Sequence, residues 1–144
     1  MIEGFQSVEK IYLDTNSIIY FVECADALQQ KIGSIIAAAT QNNLALYVSY
    51  IGVAECMHGA FKAKSQTLAD KYNEVFFDIA LFNLVPVDND RIISAAKLGA
   101  EKNLKLVDAT HFLAAIEMEC EVFLTNDRHF KSSHGITVLQ VDDL

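Results

Sequence analysis

Apolar and polar positions along the chain alternate between two periods. Short apolar runs, KIYL at residues 10–13, LALYVS at 44–49, LVPV at 84–87, EVFLT at 121–125 and ITVLQV at 136–141, read as strands. Longer stretches between them carry helical spacing. Ile18, Ile19 and Val22 follow the first run on one helix, and Leu28, Ile32, Ile35, Ile36 and Ala39 form a stripe over a helix at residues 25–41 that Asn42 and Asn43 can end. Ser49 is placed to cap a helix carrying Glu55, His58 and Lys62. A further amphipathic helix is predicted over residues 67–82. Asp88 or Asn89 caps another that ends near Asn103, and LKLV leads into a helix beginning around Asp108. Strands alternating with helices predict a parallel α/β sheet with right-handed crossovers, and Pro86, which lacks an N–H, places its run at an edge.

Composition narrows the class. A chain of 144 residues, 52% hydrophobic and 21% charged, has the length of one domain and enough apolar content to fill a core, so one domain over residues 1–144 is expected. The net charge of −8 argues against a broad basic face for nucleic acid. Cys24, Cys56 and Cys120 are widely spaced and form no C-x-x-C pair, which signals neither a disulfide framework nor a zinc site and fits a reducing compartment. MIEGFQSVEK lacks the basic and apolar regions of a leader and no run approaches a membrane span, so a cytoplasmic location is expected.

Acidic residues recur just beyond strands or at the start of the next helix: Asp14 after KIYL, Glu55 after LALYVS, Asp108 opening ATHFLAAIEM and Asp127 after VFLT. In a parallel sheet such junctions share the carboxyl edge, the side on which open α/β folds place ligand sites. Glu55 is the loosest member, about 9 Å along its helix from Ser49, and converges only if that helix tilts over the edge. Clustered carboxylates repel one another unless a cation neutralises them, and Mg²⁺ or Mn²⁺, with carboxylate and water ligands, are the hard ions suited to phosphodiester hydrolysis. Taken singly, Asp14, Asp108 and Asp127 are better explained as helix caps or turn formers and Glu55 as a solvated helix residue; taken together they are not. Thr125 can end a strand and Asn16 can form an Asx turn, or both can support the site.

The histidines, His58, His111, His129 and His134, show no zinc-binding spacing and read as surface or packing residues. Lys62 and Lys64, like Arg128 and Lys131, follow candidate acids and are either solvated faces or a substrate clamp.

The segments LDTNSIIYF at residues 13–21, SYIGVAECMHGAF at 49–61, LVDATHFLAAIEMECEVFLTNDRHF at 106–130 and GITVL at 135–139 together resemble a PIN-domain protein, in particular a VapC-type toxin ribonuclease of prokaryotic toxin-antitoxin modules. The resemblance implies a three-layer α/β/α fold around a central parallel sheet and a Mg²⁺- or Mn²⁺-dependent endoribonuclease that leaves a 5′ phosphate. It implies catalytic roles for Asp14, Glu55, Asp108 and Asp127, with Asp14, Asp108 and Asp127 holding the metal directly or through water and Asn16 and Thr125 in support. It further implies a small antitoxin partner and a homodimer, for which the apolar residues Val75, Phe76, Ile79 and Phe82 are either candidate surface or ordinary core. Two other classes stay open. A haloacid-dehalogenase-like phosphatase also ends its first strand in Asp but expects D-x-D where this chain has Asp14-Thr15-Asn16, and a non-catalytic α/β binding module would use the same surface without turnover.

Overall fold

KIYL and VFLT, the most apolar of the runs, lie side by side in the middle of the sheet. The computed structural model describes residues 7–144, and residues 1–6, part of the segment read for a leader, lie outside the described residues. Five strands follow among the described residues: β1 (Lys10–Leu13), β2 (Ala45–Ser49), β3 (Asn83–Val85), β4 (Val122–Thr125) and β5 (Thr137–Gln140). Every ladder is parallel and the spatial order is β3-β2-β1-β4-β5. The chain thus builds outward from β1 to one edge and resumes on the other side at β4. That reversal opens a crevice between the carboxyl ends of β1 and β4, where open α/β sheets bind ligands.

Strand alternation divides the interior into two cores. Ile11 and Leu13 of β1, with Val122 and Leu124 of β4, face α1 (Thr15–Glu23), α2 (Ala27–Gln41), α3 (Tyr50–Lys62) and α4 (Gln66–Asn73). Tyr12 and Phe123 point the other way, towards α5 (Asn89–Lys102) and α6 (Leu106–Glu117). Helices on both faces make three layers, α/β/α, and explain why the central strands read as continuous apolar runs. No described helix is long and apolar enough to cross a membrane. Cys56 and Cys120 are core residues whose thiols burial pushes up to about 12, so neither is a nucleophile at neutral pH.

Most predicted helix starts coincide with their caps. Asp14, Asp26, Ser49 and Asp88 each accept a hydrogen bond from a backbone N–H of the turn they open. Three expectations need correction. The helix expected over residues 67–82 ends at Asn73 and passes into a wider π-turn over Glu74–Asp78. An uninterrupted helix would set residues 76 and 82 on different faces. The chain instead turns through Ala80, at φ 53°, and brings the Phe76 and Phe82 rings within 6.0 Å of each other. Of the apolar residues left between docking surface and core, Phe76 and Phe82 are core, and Ile79 is exposed.

Pro86 lies just beyond β3 rather than in it, although β3 does take a sheet edge. Lastly, no strand precedes Asp108. Asn103, at φ 56° in the left-handed region, ends α5, the Leu104 amide donates to Gly99 O at 3.0 Å, and α6 begins directly at Leu106. Asp108 reaches the site through a helix pair, with Arg91 near the start of α5 bonded to Glu117 at the end of α6.

Candidate active site

Asp14 sits at the seam between β1 and β4. Its amide donates to Leu124 O at 3.0 Å, its Oδ1 accepts from the Thr15 amide at 2.7 Å, and its Oδ2 accepts from the Thr125 hydroxyl at 2.7 Å. Thr125 is fully buried and serves both neighbours, because its oxygen also accepts the Asp127 amide at 3.0 Å. One hydroxyl therefore spaces the first acid from the last.

Asp127 opens a turn of its own, its Oδ1 accepting from the His129 amide at 2.8 Å and approaching His129 Nδ1 at 2.7 Å. The turn-forming role and a place at the site coexist. Gln140 of β5 donates to Asp127 O and Asn126 Oδ1 accepts the Asp142 amide, so the segment after β4 is held by the chain's last residues. Asp108 lies in the first turn of α6, and Lys105, not Asp108, takes the cap position.

Glu55 does reach the edge. Its Oε1 accepts from the Thr15 hydroxyl at 2.6 Å and stands 2.8 Å from His111 Nε2, which ties α3 to α1 and α6. Thr15 and His111 are the site residues that sequence reasoning passed over. Thr15 is adjacent to the capping acid, whereas His111 gave no metal spacing to mark it. Asn16, by contrast, is exposed, and its side chain makes no hydrogen bond among the described residues.

The electrostatics register the convergence. Burial, then the charges of Asp127 and Asp14, push Asp108 above the ordinary carboxylate range, with Glu55 adding to the rise. Burial also raises Asp14, against His111 and the hydrogen bonds from Thr125 and Thr15. For Glu55 and Asp127 the burial penalty is outweighed: hydrogen bonds from His111 and Thr15 hold Glu55 low, and the His129 amide and ring hold Asp127 low with help from Lys105. Asp108 on α6 thus feels Asp14 at the end of β1, Glu55 on α3 and Asp127 beyond β4.

Asp108 and Asp127 line an open cleft of about 440 Å³ together with Asn103, Leu104, Lys105 and His129. A smaller cleft shares Leu104 and His129 with it and adds Lys102, Lys131, Ser132 and Ser133. Lys131 thus lies along a continuation of the acidic cleft. Lys64 lines a separate hollow with Phe61 and Gln66, Lys62 ends α3 well past Glu55, and Arg128 is spent on Asp143 at 2.9 and 3.1 Å.

Residues 11–134 match the PIN domain family. The chain belongs to that family. Similar solved structures include VapBC2 from Rickettsia felis bound to a promoter DNA fragment, 16% identical with a TM-score of 0.69, covering 91% of this chain and 98% of that one. DNA-bound VapBC from Salmonella typhimurium is 22% identical with a TM-score of 0.68, over 92% and 98% of the two chains. FitAcB from Neisseria gonorrhoeae is 17% identical with a TM-score of 0.69, over 93% and 99%. Identities this low establish a shared fold. No curated protein matches in sequence.

PIN domains are nucleases and depend in general on divalent metal ions. Membership of that family removes the phosphatase alternative. The donor set of this PIN domain fits a hard cation: it is all carboxylate, and the repulsion that adds to burial in raising Asp108 is what a divalent ion would relieve. Among the described residues no three His, Cys, Asp or Glu side chains stand close enough to ligate one ion together. Fewer direct ligands and more water suit Mg²⁺, which keeps several waters of hydration.

Proposed function

We propose that this PIN domain is a Mg²⁺- or Mn²⁺-dependent endoribonuclease, acting as the toxin of a toxin-antitoxin pair. The observation that carries the reading is the convergence of the four acids at the β1–β4 switch point, where Thr125 joins Asp14 to Asp127 and Asp108 feels the charges of the other three. Asp14, Asp108 and Asp127 would hold the ion, directly or through water. When bound, it supplies charge to offset the scissile phosphate and acidity to activate water.

The chain's own groups do the rest. Thr125 orients Asp14 and fixes the Asp127 backbone, so the spacing of two ligands is built in before any ion arrives. Glu55 keeps Oε1 engaged with Thr15 and His111, which leaves Oε2 to take a proton from the attacking water. Lys105, Lys102 and Lys131 along the joined clefts offer phosphate contacts in a chain of net charge −8. The similar structures are toxin-antitoxin complexes, which supports a small partner protein for this chain.

Incubation with RNA in Mg²⁺, Mn²⁺ or EDTA tests the reading. Asp14→Asn and Asp127→Asn should each lower metal-dependent cleavage by about 100-fold or more, on the scale of losing a first-order charge stabiliser. Equal cleavage by wild type and variants, or cleavage that EDTA leaves intact, would overturn it, and absence of cleavage in any metal would favour the binding-module alternative.

A further inference from the structure

His111 is among the most deeply buried polar side chains of the molecule, yet it reads as an ordinary packing residue in the sequence. Both ring nitrogens are engaged. Nδ1 lies 2.6 Å from the Tyr12 hydroxyl, and Nε2 lies 2.8 Å from Glu55 Oε1 and 3.0 Å from Thr15 Oγ1. The Tyr12 oxygen also accepts the Ser49 amide at 3.0 Å. One proton arrangement satisfies every group: Tyr12 accepts from Ser49 and donates to Nδ1, Thr15 donates to Glu55, and Nε2 carries the hydrogen that faces the carboxylate.

The helix bearing Glu55 is shaped around this ring. A Cβ built on Gly52 would stand 3.2 Å from His111 Cε1, 3.0 Å from Val48 Cγ1 and 3.4 Å from Thr15 Oγ1. Gly52 and Glu55 are three residues apart on one face of α3, so the ring rests against the helix backbone at the first and bonds the carboxylate at the second. Glu55 is otherwise half-exposed, its side chain 40% accessible. A free Glu of that kind would sample several rotamers.

We infer that His111 is a positioning residue for Glu55: its Nε2–H, set by the Tyr12–Ser49 contact on the far side of the ring, fixes the carboxylate rotamer and reserves Oε2 for the metal-water shell. The inference rests on the proposed nuclease reading for its purpose, but its geometry stands apart from it. Such partners of ligating or catalytic carboxylates are worth about 10- to 100-fold in metal affinity or activity.

The test uses the full chain, ¹⁵N-labelled. Long-range proton–nitrogen spectra should show Nε2 protonated and Nδ1 bare in His111, with the Nε2 signal moving in Glu55→Gln and the tautomer becoming mixed in Tyr12→Phe. Mn²⁺ titration should show His111→Leu weakened about 10-fold and His111→Gln, whose amide donor reaches the same place, largely restored. For RNA cleavage kcat should fall while KM holds, in Tyr12→Phe as in His111→Leu. Tyr12→Phe is nearly isosteric, so it decides the matter if the leucine variant unfolds.

A bare Nε2 in the wild type, or wild-type Mn²⁺ affinity and kcat in the folded variants, would overturn the assignment. If the wild type binds no Mn²⁺ and cuts no RNA, the proposed function fails, and the role of His111 then stands or falls on the spectra alone.

Discussion

Asp14 carries a conflict that a single substitution can expose. Burial pushes its pKa up, while His111, Thr125 and Thr15 pull the other way without prevailing. A carboxyl whose folded pKa exceeds its unfolded value contributes stability that is present below about pH 4 and is lost as pH rises through the folded value. Ionised Asp14 therefore weakens the metal-free fold at neutral pH, and Asp108 acts in the same direction. Asp14→Asn removes the buried charge but keeps an oxygen for the Thr15 amide. Thermal melts in EDTA should show the variant several degrees above wild type at pH 7, with the gap closing towards pH 4. Mg²⁺ or Mn²⁺ should raise the wild-type midpoint at pH 7 and the variant's far less. A variant that melts below wild type by the same margin at every pH would mean that Asp14 acts chiefly as a helix cap.

At the scale of elements, the site depends on how closely α5 and α6 approach. Gly99 lies where the two helices meet, and a Cβ there would stand 2.9 Å from Leu104 O and 3.2 Å from Ala109 Cβ. The first of those atoms belongs to the backbone that turns α5 into α6, so it cannot swing aside. Gly99→Ala should cost about 1–3 kcal/mol, the usual penalty for overpacking, and should displace the first turn of α6 with Asp108 on it. Gly33 in α2 has nothing within 4 Å of the same position, and Gly33→Ala should gain up to about 1 kcal/mol from helix propensity. Urea denaturation of both variants makes the comparison. Equal midpoints would show that the helix pair has slack and that Asp108 is not placed by close packing.

Across the whole molecule, apolar surface remains outside both cores. Phe61 is 63% exposed, Ile79 60% and Ile93 70%, with Phe77, Leu106 and Val107 also uncovered. Isolated exposed apolar residues are ordinary, and only a contact between chains would bury these. We propose that the chain self-associates and that a small partner covers further apolar surface. Light scattering of the purified chain should give the mass of a dimer, and Phe61→Ser or Ile93→Ser should shift it to a monomer with an unchanged melting profile. A monomer at every concentration, with no change in either variant, would refute self-association.

Local chemistry decided most of the elements. Asp14, Asp26, Ser49 and Asp88 cap helices wherever they occur, because a short polar side chain satisfies orphan amides without help from distant residues. The parallel sheet was legible in the doubly buried runs, and Asp14, Asp108 and Asp127 were legible because each stood by an element boundary. The motif LDTN and the later DAT and TND segments carried the family, later matched over residues 11–134. What local pattern could not supply was any relation between residues far apart in sequence. The π-turn after Asn73 depends on Phe76 meeting Phe82 in the core, and the route to Asp108 depends on a helix pair where a strand-to-helix junction was expected. Glu55 was placed by contacts 40 and 56 positions away, to Thr15 and His111. His111 itself has no distinguishing neighbour in sequence. Its meaning comes from Tyr12, 99 residues earlier, and from the missing side chain at Gly52, and only the folded chain brings those three together.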